Sequence, residues 1–213
     1  SREGKDANVA AGQGVSIQLQ AWAPDSPYAR RLRTAQPDEI YALYLDERDS
    51  HADSTAFYLD VADLLLQKGR RAEGLRVLSN LAELDLENRH ILRVLGQRLM
   101  QANDRRHAVQ VFRDVLRLAD EEPQSHRDLG LALAAALEPQ EAIERLYDVV
   151  ARTWDGRFSE IELVALNELN AIVAASPDSL DTRFIDRRLL RNMPLDLRVV
   201  LAWDSDNSDM DLW

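Results

Sequence analysis

Apolar residues between positions 55 and 150 recur three, four and seven apart, as in Tyr58, Val61, Ala62 and Leu65. That spacing draws one stripe along a helix of 3.6 residues per turn. The whole pattern then returns every 34 residues. Ala62, Gly96 and Gly130 form one column, and Gly74, Ala108 and Ala142 form a second, 12 residues further along each unit. Both columns hold only glycine or alanine, residues that let two helix axes approach closely. Apolar columns run beside them: Val61, Leu95, Leu129; Leu65, Leu99, Leu133; Leu78, Phe112, Leu146; and Leu81, Val115, Val149. Each unit therefore reads as helix, tight turn, helix. One such pair cannot cover its own apolar face, so the units must stack.

A 34-residue helix pair with a small residue at its crossing is the period of the tetratricopeptide repeat (TPR). The fold class is accordingly all-α, a TPR-like α-solenoid of helix hairpins with capping helices and short β segments at both ends. True repeats are expected over residues 55–88, 89–122 and 123–153, about the minimum for an independent solenoid. The turns agree. Lys68-Gly69-Arg70 and Ala102-Asn103-Asp104 supply residues that tolerate a left-handed backbone, and Pro139 after Glu138 suits the first turn of a helix.

Outside the repeats the register decays. Residues 1–14 are polar and aperiodic, a linker, and residues 15–22 (VSIQLQAW) alternate like a strand. Two helices, over 24–34 and 38–49, place Tyr28 and Ile40 where the small residues should be, so this pair is a degenerate cap. A long helix over 159–175, with Ile161, Val164, Ala165, Leu169, Ile172 and Val173 on its apolar side and Glu160, Asn167 and Asn170 on its polar side, should cover the last repeat. A short basic helix is expected over 182–191, closing a helical domain that spans 23–192. Residues 195–203 (LDLRVVLAW) and the stub 210–213 then alternate as a hairpin, and strands with an uncovered apolar face are not stable alone. The chain is thus expected to be a segment of a longer protein, cut inside residues 193–213.

The runs LSNLAELDLEN (78–88), EEPQSHRDLGLALA (121–134), WDGRFSEIELVALNELNAI (154–172) and MPLDLRVVLAWDSDNSDMDLW (193–213) resemble the carboxy-terminal part of large bacterial proteins. In these, a vault/inter-alpha-trypsin domain and a von Willebrand factor A domain precede TPR units and an uncharacterised β-sandwich domain. The resemblance implies that Leu195 opens the sandwich, that other domains of the same parent chain are partners, and that the protein is periplasmic or at the cell surface. It carries no metal-binding residue of the von Willebrand domain into this chain.

Charge narrows the partners. Of a net −11, residues 54–153 contribute 16 acids against 14 bases, and residues 154–213 contribute 12 against 6. The repeats are almost neutral and offer no basic excess to neutralise phosphates, so nucleic acid is excluded as the expected partner. No run approaches the ~18 apolar residues of a membrane span, and no basic amino-terminal region leads into an apolar run, so a signal peptide is expected to be absent or already removed. With no cysteine, disulfides and thiolate metal sites are excluded, and a cytoplasmic home stays as open as a periplasmic one.

Catalytic patterns are missing. His51, His90, His107 and His126 show neither metal-ligand spacing nor a neighbouring nucleophile, and read as ordinary helix-surface residues of a non-enzymatic protein; Glu121 and Glu122 sit at a helix start, where the macrodipole favours them. No cofactor is expected apart from Ca²⁺ at Asp204, Asp206, Asp209 and Asp211, whose hard oxygens suit that ion. The cluster departs from an EF-hand loop, since Ser208 holds its fifth position and Asp209 its sixth, and a solvated turn between strands is the simpler account. If Ca²⁺ or a glycan bound there, the helices would serve only to position the β-domain.

Positions 2, 5, 9 and 12 of each unit fall on a face away from the core stripe, which lines the concave surface in TPR solenoids. Here this face carries Leu59, Asp63 and Leu66, then His90, Arg93, Gln97, Met100 and Gln101, then Gln124, Arg127 and Leu131. Arg93 and Arg127 are expected side by side, forks suited to carboxylates, gripping an acidic protein or peptide segment. The competing arrangement pairs both with helix acids such as Asp63 or Asp128.

Overall fold

The computed structural model describes residues 26–84, 88–176 and 180–192. Those residues form α1 (Pro27–Thr34), α2 (Ile40–Arg48), α3 (Thr55–Gln67), α4 (Arg71–Leu84), α5 (Arg89–Gln101), α6 (Arg105–Leu118), α7 (Pro123–Ala135), α8 (Pro139–Ala151) and α9 (Ile161–Ala175), with single 3₁₀ turns at Asp49–His51 and Gly156–Phe158. The strands expected over 15–22, 195–203 and 210–213, and the four-aspartate turn, lie outside the described residues.

The first helices of the units begin at Thr55, Arg89 and Pro123, 34 residues apart, as the columns require. Their starts are fixed locally. Ser54 Oγ accepts the Phe57 N–H at 3.2 Å, Asn88 Oδ1 accepts those of His90 and Ile91 at 3.1 and 3.2 Å, and Pro123 and Pro139 stand where a missing N–H costs nothing. Each hairpin turn is built alike. Gly69, Asn103 and Leu137, again 34 apart, hold φ of 76°, 59° and 66°. The next residue donates its N–H back to the leucine column: Arg70 to Leu65 O (2.8 Å), Asp104 to Leu99 O (2.8 Å) and Glu138 to Leu133 O (2.9 Å). This closes a Schellman motif in every unit.

Leucine is the wrong residue for that backbone. Leu137 is 82% exposed, so it gains no packing to offset a left-handed conformation that costs an L-residue roughly 1–2 kcal/mol. Leu137→Gly is expected to raise stability by about 1 kcal/mol, read as a higher midpoint in thermal melts; an unchanged or lower midpoint would count against the turn geometry.

One apolar cluster runs from Leu32, Ile40 and Tyr44 through all three units to Ala142, and a second joins Ile143, Leu146, Val149, Ala165, Leu169 and Ile185. The small-residue columns lie where helices cross. A Cβ on Gly74 or Gly130 would stand 2.9 Å from Leu66 Cγ or Leu146 Cγ. At the amino-terminal end the crossing is made by rings instead: Phe57 meets Tyr28 edge-on at 5.1 Å and stacks on Tyr44 at 5.8 Å. The pair α1–α2 thus caps the solenoid with aromatics, as the misplaced Tyr28 and Ile40 imply.

Two expectations need correcting beyond the last repeat. α9 begins at Ile161 because Glu160 adopts a left-handed φ of 63°, and its residues Glu168 and Asn170 are buried. Asn170 Nδ2 donates to Leu166 O and Leu189 O, fastening the following segment. Residues 182–191 do not form a helix. Asp181 and Asp186 each accept the backbone N–H and the guanidinium of the arginine two residues on, Arg183 and Arg188, and such Asx turns compete with helix hydrogen bonding. The same contacts hold both carboxyls down to about 2.

Candidate partner-binding face

The face formed by α3, α5 and α7 is crossed by ion pairs that join each of these helices to the next. Arg98 Nη2 of α5 lies 3.0 Å from Asp63 Oδ2 of α3. Arg93 of α5 reaches α7, with Nη2 2.9 Å from Glu122 Oε2 and 3.0 Å from Ser125 Oγ, and Nε 3.3 Å from Asp128 Oδ2. Arg127 of α7 grips Glu168 of α9 in a two-pronged pair, Nε to Oε2 at 2.8 Å and Nη2 to Oε1 at 2.6 Å. The pairs become more buried toward the carboxy-terminal end: Asp63 is half-exposed, whereas Arg127 and Glu168 are both buried.

Asp128 is the least solvated acid of the series, 3% exposed. Gln97 Nε2 and Gln124 Nε2 both donate to its Oδ1, at 3.2 and 2.6 Å. Its Oδ2 faces Arg93 Nε in charge but not in hydrogen-bond geometry, and neither atom has another partner. Burial raises the carboxyl to about 6, against the opposing pull of Arg93, the Gln124 bond and Arg127. Between the ordinary value near 4 and 6 the folded state therefore holds a proton that the unfolded chain has released, so stability should fall as pH rises through this window. Glu122 acts the other way: burial would raise it, but Arg93 and Arg89 outweigh burial and hold it below its ordinary value, so its contribution is lost only at lower pH. Asp128→Asn is expected to flatten the slope of unfolding free energy between pH 4 and 6. A variant with the wild-type slope would remove Asp128 as its source.

Of the two arrangements open to Arg93 and Arg127, the structure has the paired one: the two share the face, and both are engaged by acids of the same chain. Asp63 pairs with Arg98 rather than with either of them. Gln101 Oε1 accepts from Arg98 Nη1 at 2.8 Å. Gln97, Gln101 and His90 are exposed, and Leu59, Leu66, Met100, Gln124 and Leu131 are partly open to solvent. Sequence reasoning missed Glu122 and Glu168, which complete the pairs. The signal for Glu122 was present: it lies 33 residues after Arg89 and 29 after Arg93, within one repeat, so it meets both when units stack.

His126 is a second correction. It is buried, 1% exposed, with Nε2 3.0 Å from Asp120 O and 2.9 Å from Arg152 Nη1, and Nδ1 3.6 Å from Asp148 Oδ2. Arg152 pairs with both oxygens of Asp120 and lies over the Trp154 ring at 4.9 Å. The hydrogen bonds from Arg152 hold the Asp120 carboxyl below its ordinary value. These contacts pin the turn between α6 and α7 to the end of α8. Among the described residues, no group of histidines and acids is arranged to hold a metal ion, and no helix is long and apolar enough to cross a membrane.

No protein-family model matches the chain, and neither does any curated protein sequence. Solved structures similar to it are helical-repeat proteins. They include MamA from Desulfovibrio magneticus RS-1, with 16% identity, covering 69% of this chain and 80% of that one at a TM-score of 0.46. A Podosopora anserina putative kinesin light chain with nearly identical TPR-like repeats shares 20% identity over 69% of this chain and 82% of that one, TM-score 0.47. YrrB, a TPR protein with an unusual peptide-binding site, shares 12% identity over 70% and 83%, TM-score 0.45.

Proposed function

We propose that the protein is a non-enzymatic scaffold that holds an extended segment of a protein partner along the face of α3, α5 and α7. The observation that carries this reading is the mixture on that face. Leu59, Leu66, Met100 and Leu131 remain partly exposed, and Gln97, Gln101 and Gln124 stand among them. Apolar patches orient a peptide's side chains, while amides can both donate to and accept from its backbone. Because internal acids occupy Arg93 and Arg127, these two organise the face rather than anchor the partner. The resemblance to the von Willebrand factor A group supports an exported protein in which the solenoid links other domains of its parent chain, with Ca²⁺ at the aspartate turn as a separate possibility of that β-domain.

The test is selection of peptides from a random library on the wild-type protein, followed by measurement on Leu131→Glu. A carboxylate beside the apolar contacts is expected to weaken the selected peptides about tenfold, on the order of 1.4 kcal/mol. Selected peptides that bind the variant equally would overturn the proposal.

A further inference from the structure

Among the described residues, cations free to meet an acid stand at one edge of this face, where the hairpin turns of the first two units come together. Arg71 Nε donates to Ala102 O at 3.0 Å, which brings the start of α4 against the end of α5. Between them opens a cleft of about 470 Å³ walled by Leu66, Arg71, Arg98, Gln101 and Asn103. Just past Asn103, Arg105 and Arg106 are exposed, and among the described residues no ion pair or hydrogen bond holds either one. Lys68 is exposed on the adjoining turn.

The acids of the neighbourhood are already committed: Asp63 to Arg98, Glu73 to Arg70 at 2.5 Å, and Asp104 to His107 at 2.8 Å. Even with Asp104 set against them, Lys68, Arg71, Arg105 and Arg106 leave an excess of positive charge at one edge of a chain whose net charge is −11. Helix stability does not ask for it. Arg105 and Arg106 occupy the first turn of α6, where the macrodipole favours acids.

We propose that this edge docks an acidic peptide segment of the partner. Arg105 and Arg106 receive its carboxylates, and the flanking chain enters the cleft beside Leu66. The proposal rests on the peptide-binding reading above and supplies the partner's chemistry. A peptide fits better than a nucleic acid, because the cleft combines an apolar wall with the Gln67 and Gln101 amides, which suit apolar side chains and a peptide backbone.

The experiment measures fluorescence anisotropy at low ionic strength with a labelled glutamate-rich peptide of about twelve residues that includes leucines. A lysine-for-glutamate counterpart and an oligonucleotide of equal charge serve as controls. Wild-type protein is expected to bind the acidic peptide alone, more weakly as salt is added. Arg105→Glu with Arg106→Glu should lose about tenfold or more of that affinity with a melting temperature unchanged or raised. No binding by the wild type, equal binding by the double variant, or equal capture of the oligonucleotide would each overturn the inference. Library peptides sensitive to Leu131→Glu yet indifferent to the arginine reversals would overturn this inference while leaving the groove reading in place. Acidic peptides sensitive to the arginines but not to Leu131→Glu would support the edge and sink the groove.

Discussion

Replacing Arg127 with alanine should lower the unfolding free energy by about 3–5 kcal/mol, the usual consequence of leaving one member of a buried ion pair behind. Both groups are almost fully removed from water, and both oxygens of Glu168 receive Arg127. Burial alone would lower the pKa of the guanidinium; Glu168 outweighs that and raises it, so the charged pair is the stable form. Truncation therefore takes the guanidinium away from a buried carboxylate between α7 and α9. Replacing both partners with apolar residues of similar volume, Arg127→Met with Glu168→Leu, should cost far less, since desolvation of two charges nearly cancels their attraction. Urea titrations of the two variants separate the cases. A loss below ~1 kcal/mol in Arg127→Ala would place the pair at the surface.

The second large effect belongs to Gly96. A Cβ there would lie 2.6 Å from two ring atoms of Phe112, closer than real contacts allow. Phe112 is itself buried, and a flat ring held on all sides cannot step aside as the end of an aliphatic chain does. Gly96→Ala should therefore destabilise by roughly 1–3 kcal/mol, even though alanine is the better helix former by about 1 kcal/mol. Gly130→Ala should cost less, because the nearest atoms belong to the flexible Leu146 at 2.9 and 3.2 Å. Gly130→Leu, with more volume to place, should approach the Gly96 penalty. Thermal midpoints that rank Gly130→Ala below Gly96→Ala would contradict the crossing geometry.

The solenoid was legible because its information is local and repeated. Gly or Ala at fixed spacing, a leucine column whose carbonyls close the hairpin turns, and caps at Ser54 and Asn88 each act within a few residues. The ion pairs were not legible in the same way. Arg127 meets Glu168 across 41 residues, past the point where the repeat register ends, so no column predicts the encounter. Asp128 sits beside Arg127 in sequence but turns to Arg93 of the preceding unit, a choice set by how far one helix pair rotates on the next. The segment after α9 misled for a third reason. Its basic, apolar texture suits a helix, but an aspartate two residues before an arginine, at Asp181 and again at Asp186, offers the backbone a tighter alternative.

The progressive burial of the ion pairs also sets which joint of the solenoid should resist bending. From Ser125 to Gly130 every residue of α7 is buried. Flexing the joint between α7 and α9 would require drawing a guanidinium off a carboxylate with no water to replace it. Between α3 and α5 the corresponding pair, Asp63 and Arg98, is half-exposed and can exchange partners with solvent as the helices slide. Compliance should thus be uneven along the axis: the carboxy-terminal joint is the stiff one and the amino-terminal joint the soft one, so bending of the first unit against the second costs least.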